Sequence, residues 1–590
     1  MKHNILKICS GLTLIAGLIS LSSCGSDFLE TTPTNQVSTN SIWTSENLAV
    51  RAVNGIYGHI YYEYRDNPWI TLWDGYTEIM DEDVNWVSGN APILRGSATA
   101  SSGMFSTWWE RLYEGISRAN DVLANISKVP DMSDEDKARY IAEAKFLRAW
   151  EYYRLNCLWQ GVPVYTEPVA ADEATKGRST TEEVFSQIIQ DCTDAINEPN
   201  LPDKYSSSDA NWGRVTKGAA YMLRAKTYLW LERWAEAEAD FKKITGLGYK
   251  LFDDYYNLFT ENNEKNDEYI FEYQYMDESG LGNFMSWTFG NRCSSGYSWN
   301  NYLPNPYFVD SYQNADGSAF NIDDVIPGYS SMTPQQRIVY YLRDNMTDDE
   351  ISNQTNVGAD MTKYLPNGNE ARIKKVYEGR DPRMAWNFIL PYSTYVGGAT
   401  GTEYTYTLRW PYRGYDSAKP FDLRTDTNDR YYYLWRKFVF RGREHTDQNN
   451  SPIDIPIFRY AETLIGLAEA LNEQGKTEEA ITYLNQVRER AGVSALNSNE
   501  HTRVTGQADL RERIRNEYGW ELCGENVTYF NELRWGTWHQ KKFVESNGMT
   551  EIWGTKKYTN SWQGDYGVKW AIPQSEVEKN ENLKQNDGWY

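Results

Sequence analysis

Histidine and cysteine are scarce in this 590-residue sequence, and positive charge is outweighed by negative. The five histidines, His3, His59, His445, His501 and His539, are dispersed and form no HExxH pairing. Neither a GxSxG turn nor a P-loop is present. The usual motifs of zinc proteases, α/β-hydrolases and P-loop nucleotide enzymes are therefore missing. Besides two N-terminal cysteines, the chain has only Cys157, Cys192, Cys293 and Cys523, widely spaced and without a C-x-x-C pair. That spacing indicates neither a zinc site nor a dense disulfide framework. Lys and Arg total 59 against 82 Asp and Glu, a formal charge of −23. An acidic surface argues against nucleic acid, which is gripped by Lys and Arg on phosphates, and against docking on anionic headgroups. Long apolar runs are also lacking. The longest, about 8–21, is too short to span a bilayer comfortably.

That run follows Lys2 and Lys7, the charge layout of a secretory signal. It ends in Leu21-Ser22-Ser23-Cys24 rather than an A-x-A-like site, and so resembles a bacterial lipobox. The resemblance implies cleavage before Cys24 and acylation there. Several acyl chains hold a protein on a membrane far more stably than one. The expected division is a lipoprotein signal peptide over 1–23 and a lipidated tether over 24–42. An N-terminal region of helices (43–249), a loop-rich ligand-binding lobe (250–454) and a C-terminal helical region (455–590) follow.

What the sequence does have is amphipathic helical pattern. Residues 108–126 place Trp109, Leu112, Ile116, Ala119, Val122 and Leu123 at helical spacing. Residues 134–159 predict a long helix stopped by Gly161 and Pro163. Thr180-Thr181 before Glu182-Glu183 reads as an N-cap with an acidic first turn. Two stretches, 219–244 and 461–487, repeat each other as helical hairpins. Ala225, Tyr228, Trp234, Ala237 and Phe241 match Ala468, Leu471, Thr477, Ala480 and Leu484 in relative position. This spacing resembles the tetratricopeptide repeat. The earlier helices are expected to stack on these hairpins, since one repeat cannot bury its own faces. Between about 250 and 454, Gly, Pro, Asn, Asp and Tyr dominate. Short alternating runs at 267–275 and 432–440 predict strands within a packed lobe. The fold class expected is mainly α: a tetratricopeptide-like scaffold carrying a lobe of loops, short helices and strands.

Four segments resemble the SusD/RagB family of outer-membrane nutrient-binding lipoproteins: AEAKFLRAWEYYRLNCLWQGVPV (142–164), GRDPRM (379–384), DIPIFRYAETLIGLAEALNEQG (454–475) and WAIPQSEVEKNENLKQNDGW (570–589). Most of these residues, Arg380, Asp381 and Arg383 among them, are expected to be scaffold. The resemblance implies a non-enzymatic, cell-surface lipoprotein. It would capture oligo- or polysaccharide and act as a lid on a SusC-like TonB-dependent barrel. Peptide binding in the same role, a surface glycosidase and a repeat scaffold for protein partners are the alternatives. A glycosidase would need a carboxylate pair facing across a cleft; a scaffold would need an apolar groove.

The chain carries 23 Trp, 44 Tyr and 19 Phe. Sugar rings pack their C–H faces on indole or phenol, and their hydroxyls need amide, carboxylate and guanidinium partners. Two polar stretches fit, one with Asp83, Asn85 and Trp86, the other with Arg292, Cys293, Tyr297 and Trp299. Arg372 and Tyr395 flank the Arg-Asp-Pro-Arg element and complete the candidate set. No catalytic residue and no cofactor is expected. Residues 312–323 partly match a calcium loop through Asn314, Asp316, Gly317 and Asp323. Tyr312 holds the position of the first carboxylate, so a simple Asp-Gly turn is the plainer expectation.

Overall fold

A computed structural model describes residues 42–65, 72–82, 91–399, 401–413, 421–423, 425 and 430–589. Helix α1 (Glu46–Ile60) leads into a helical array: α2 (Gly103–Asn125), α3 (Asp134–Trp159), α4 (Thr181–Asn197), α5 (Lys217–Trp230) and α6 (Trp234–Thr245). Each of these packs on the next. Helix α2 begins a turn earlier than its pattern predicts, because Phe105 is buried and extends the apolar face. Helix α3 ends where Gln160 turns left-handed, and Gly161 follows at φ +107°. A side chain at Gly161 would lie 2.8 Å from the Ser179 carbonyl, so glycine is required both by conformation and by space. The N-cap predicted before α4 is a full capping box, Thr180 Oγ1 to Glu183 N and Glu183 Oε2 to Thr180 N.

The second predicted hairpin is α7 (Tyr460–Glu473) with α8 (Thr477–Arg490). It stacks on the first through α6 and α7, although some 215 residues separate them. Gly466 permits this approach: a Cβ there would come within 2.6 Å of the Phe241 ring. Ion pairs Lys226–Glu462, Lys476–Glu238 (2.6 Å) and Lys242–Glu479 (2.6 Å) cross the same seam. Helices α9 (Gln507–Leu522) and α10 (Thr528–Trp535) complete the C-terminal part, with α9 against α7. The scaffold is thus mainly α and built of helical hairpins. Among the described residues no helix is long and apolar enough to cross a membrane.

The lobe is tied to this scaffold at its base. Strands β1 (Tyr269–Tyr273) and β2 (Ile455–Arg459) pair antiparallel, so the chain leaves and regains the scaffold at one place. The run at 267–275 therefore forms its strand. The run at 432–440 forms only a two-residue strand, Leu434–Trp435. The next backbone amides, of Arg436 and Lys437, turn instead to the Asn387 carbonyl, and Phe438 sits at φ +60°. Its residues are buried on both sides, so alternation in sequence did not mean one wet face.

Arg459 ends β2 inside a buried charge network. It meets Glu268 (2.6 Å), Glu521 (2.7 Å) and Glu525 (2.7 Å). Arg383 reaches Asp381 (2.7 Å), Glu517 (2.5 Å) and Glu521 (3.0 Å), and Arg490 also pairs with Glu521. Burial opposes ionisation of Glu521, yet Arg490, Arg459 and Arg383 hold its carboxyl down to about 2. The Arg-Asp-Pro-Arg element thus joins lobe to scaffold. Arg380 braces the lobe internally, donating to the carbonyls of Asp310 (2.9 Å) and Tyr312 (2.5 Å). The closing segment is scaffold too. The Gln585 amide pairs with both backbone groups of Ile572, and Asn586 donates to the carbonyls of Trp570 and Trp159.

Candidate functional site

The polar stretch at 291–301 folds as a loop stapled at its neck. It leaves a short helix, Met285–Phe289, and returns to it. Trp299 N donates to Trp287 O (3.0 Å), Asn300 N to Gly290 O (2.7 Å) and Asn301 N to Thr288 O (2.8 Å). Inside the loop, turns close from Ser294 N to Asn291 O and from Tyr297 N to Ser294 O, both 3.0 Å. Gly296 at φ +78° and Tyr297 at φ +60° make the reversal at the tip. Packing against Gln448 leaves no space for a side chain at Gly296.

Three side chains of this loop reach the surface. Tyr297 is 45% exposed, while Arg292 and Trp299 are half-buried. The Arg292 guanidinium lies 5.3 Å from the Trp299 ring centre and donates to the Tyr297 carbonyl (3.3 Å). Beneath, Trp287 supports Trp299 edge-on at 5.1 Å and 62°. Trp287 was not singled out by the sequence reading; its place in a buried five-residue helix gives it no polar setting to notice. Around this platform, buried polar atoms lack hydrogen-bond partners: Asn291 Nδ2, Ser298 Oγ, Thr288 Oγ1 and both amide atoms of Asn301. Such atoms are costly unless water or a ligand satisfies them.

Two other candidates take a different position. Cys293 is fully buried, and its carbonyl accepts from Ala399 N (3.2 Å). Tyr395 is 2% exposed, and its hydroxyl bonds Ser294 Oγ (2.9 Å) and the Phe440 carbonyl. Tyr395, on the hairpin Thr394–Gly397 and Tyr404–Thr407, holds the loop from behind, and Cys293 ties the loop to Ala399 just beyond that strand. A ligand contact through either side chain is corrected on that ground: neither has a surface to offer. Arg372 lies in a separate short helix, Asn369–Lys374. Its guanidinium covers the Tyr340 ring at 4.4 Å and donates to Lys363 O (3.0 Å) and to Asn369, so it fastens its own neighbourhood. Asp83, Asn85 and Trp86 lie outside the described residues, as does Cys24.

The 312–323 loop is a turn. Asp316 Oδ1 accepts from Ser318 N (2.9 Å) and Ser318 Oγ (2.7 Å), while Asp323 Oδ1 accepts from Ser330 N (2.9 Å). The two carboxylates thus cap different turns. Among the described residues no group of three or more acidic, His or Cys side chains converges on a possible metal position.

A description as the SusD family fits residues 267–589, and a second, starch-binding associating with outer membrane, fits residues 27–229. The chain belongs to the SusD family. A SusD-like protein of Formosa agariphila is 25% identical over 99% of both chains. The starch-binding protein SusD of Bacteroides thetaiotaomicron is 24% identical over 84% of this chain and 81% of its own. Among solved structures, a SusD-like protein of Bacteroides fragilis superposes with a TM-score of 0.72 at 22% identity, covering 95% of this chain and 100% of its own. A laminarin-binding SusD-like protein superposes with a TM-score of 0.62 at 20% identity, covering 93% and 100%. These structural likenesses establish the SusD fold.

Proposed function

We propose that this SusD-family protein is a cell-surface glycan-binding lipoprotein. It captures oligo- or polysaccharide and delivers it, as a lid, to a SusC-like TonB-dependent barrel. The observation that carries the reading is the match of both family descriptions in chain order, one of them starch-binding. The Arg292–Tyr297–Trp299 platform supports it physically. It offers two ring faces and a guanidinium at the surface. That combination suits a polyol with apolar C–H faces. In this reading Cys24 carries the acyl anchor, and Asp83, Asn85 and Trp86 contribute to the same platform.

A glycosidase finds no comparable support. The Glu532 carboxyl is raised by burial and by the neighbouring Glu78, a pair too close to flank a scissile bond. Hydrolysis of a glycoside needs carboxyls roughly 5–9.5 Å apart. The test of function is a glycan array probed with the purified chain, followed by capture of the barrel from outer membranes. Selective retention of a glycan class, with no new reducing ends on incubation, is expected. Cleavage abolished by one carboxylate substitution would replace the proposal. Cys24→Ala should release the protein from the membrane fraction; unchanged partitioning would remove the anchor.

A further inference from the structure

A large cavity lies away from the platform. It has a volume of about 860 Å³ and opens between α2, the loop 163–175 and the C-terminal helix Gln574–Lys579. That volume is within the range of about 300–1,000 Å³ usual for small-molecule sites. Two half-buried rings, Tyr113 and Tyr165, stand 6.3 Å apart on its wall, and Trp109, 6% exposed, backs Tyr113 at 4.9 Å from one helical turn away on α2.

The groove is held open by buried groups. Arg148, 5% exposed, donates to Thr166 O (2.9 Å) and to Asn120 Oδ1 (2.7 Å). Asn120 in turn donates to Tyr165 O (3.0 Å) and Glu167 O (3.2 Å). Tyr113 donates to Pro163 O (2.7 Å). From the C-terminal segment, Asn580 donates to Lys176 O (3.0 Å) and Asn582 to Thr175 O (3.0 Å). Both ends of the loop are therefore fastened, and a ligand would not have to order it. Such preorganisation lowers the cost of binding.

The charge of the lining selects the ligand. Glu110, Glu114, Glu167, Asp172 and Glu576 line the cavity with Lys579; beside it Arg118 pairs with Glu114 (2.7 Å) and Lys176 lies 5.1 Å from the Tyr165 ring centre, so the balance stays acidic. Lys579 is already paired with Glu576 (2.8 Å). Anionic saccharides such as uronate or sulfated polymers would be repelled. Carboxylates instead accept hydrogen bonds from sugar hydroxyls, while the ring wall packs their C–H faces.

We infer that this groove is a second saccharide site, taking a short uncharged stretch of glycan. The inference rests on the glycan-binding reading above. Two sites on one chain would hold a polysaccharide by avidity, because the second contact becomes intramolecular.

The test uses the detergent-solubilised full chain, with maltohexaose, laminarihexaose and cellohexaose as neutral probes and an alginate hexamer as the anionic one. Isothermal titration is run on the native protein, Tyr165→Ala, Tyr165→Phe and Trp299→Ala, each beside a melting curve. A neutral probe is expected to bind at two sites. Tyr165→Ala should weaken one of them at least tenfold, Tyr165→Phe should retain it, and Trp299→Ala should spare it. Asp172→Lys combined with Glu167→Lys, both exposed positions, should admit alginate at least tenfold better. One-site binding abolished by Trp299→Ala and untouched by Tyr165→Ala overturns the groove and leaves the glycan-binding reading standing. Absence of binding to any neutral probe overturns the groove, and a blank glycan array overturns both. Capture of a lysine-rich peptide in place of sugar, lost in the double charge reversal, also overturns it.

Discussion

Glu151 offers a quantitative test of how α2 and α3 meet. Its carboxyl sits opposite Gly115, where a Cβ would lie only 2.2 Å from Glu151 Oε1. The residue is 3% exposed, and Oε1 has no hydrogen-bond partner. Burial pushes the carboxyl up to about 8, with Glu63 adding to the rise and Arg154 opposing it. The unfolded carboxyl titrates near 4.5. The folded state thus keeps a proton that the unfolded state loses. Stability from this group is complete below about pH 4.5 and is lost as pH rises through about 8. At pH 7.5 the gap is some three pH units, a ceiling of about 4 kcal/mol at about 1.4 kcal/mol per unit. Glu151→Gln cannot ionise. It should match the native protein near pH 4.5 apart from a constant offset, and exceed it by about 2–4 kcal/mol at pH 7.5. Urea denaturation of both proteins at pH 4.5, 6, 7.5 and 9 measures this difference. A difference that stays flat across that range would refute the assigned environment.

Other buried acids carry the same sign. Burial raises Asp74 and Glu272 to about 7, Glu264 to about 8 and Asp310 to about 6. On the other side, Glu521 is held at about 2, and against burial Lys242 and Lys476 hold Glu238 at about 2. The melting temperature should therefore peak near pH 5, fall towards pH 8 and fall again below about pH 4.5; a maximum at pH 8 would contradict these assignments. Arg383→Ala leaves buried Asp381 without its cation, while Glu517 keeps Arg488 and Glu521 keeps Arg459 and Arg490, and should cost about 3–5 kcal/mol of unfolding free energy; a loss below 1 kcal/mol would remove the junction role. Trp299→Ala should weaken glycan binding about tenfold, about 1.4 kcal/mol, with a small shift in melting temperature. Unchanged affinity by titration would move the ligand elsewhere.

The helical scaffold was legible because its signals are periodic and local. The repeat register of Ala225 to Phe241 and Ala468 to Leu484 pointed to two hairpins, and the structure supplies their contact through Gly466 and Phe241. The lobe was less legible. Alternation at 432–440 read as a strand, but both faces are buried there and backbone amides turn to Asn387. Site residues were hardest. Cys293 and Tyr395 share the polar, glycine-rich setting of Tyr297 and Trp299, yet point into the molecule. Composition marks a loop as exposed; it does not say which of its side chains face out. The groove was missed for the opposite reason. Trp109 falls on the apolar stripe of α2 and is buried there as helical spacing expects, so nothing in the pattern marks the space beside its neighbour Tyr113. That space depends on the loop at 163–175, which Asn120 of α2 and Arg148 of α3 tie to the helices.

A lid of the kind proposed must meet two demands that compete. Its recognition loops need exposed aromatic and polar groups, which contribute little to folding. Its body must move as one piece, or closing would distort the platform before it delivered cargo. The distribution of charge meets both. Arginines that could bind sugar, Arg383, Arg459 and Arg490, are instead sunk where lobe and scaffold join, each paired with at least two carboxylates. Breaking such pairs is costly, so lobe and hairpins resist sliding against each other. Arg292 alone among these guanidiniums stands at the rim, over Trp299. Rigidity is thus placed in the buried charge network, and variation is left to short loops whose necks are stapled to it. A loop such as 290–299 can change its tip residues without disturbing Trp299 N, Asn300 N or Asn301 N, whose bonds to the Met285–Phe289 turn use backbone only. The frame can therefore stay fixed while the tip of the platform is recast for a different glycan.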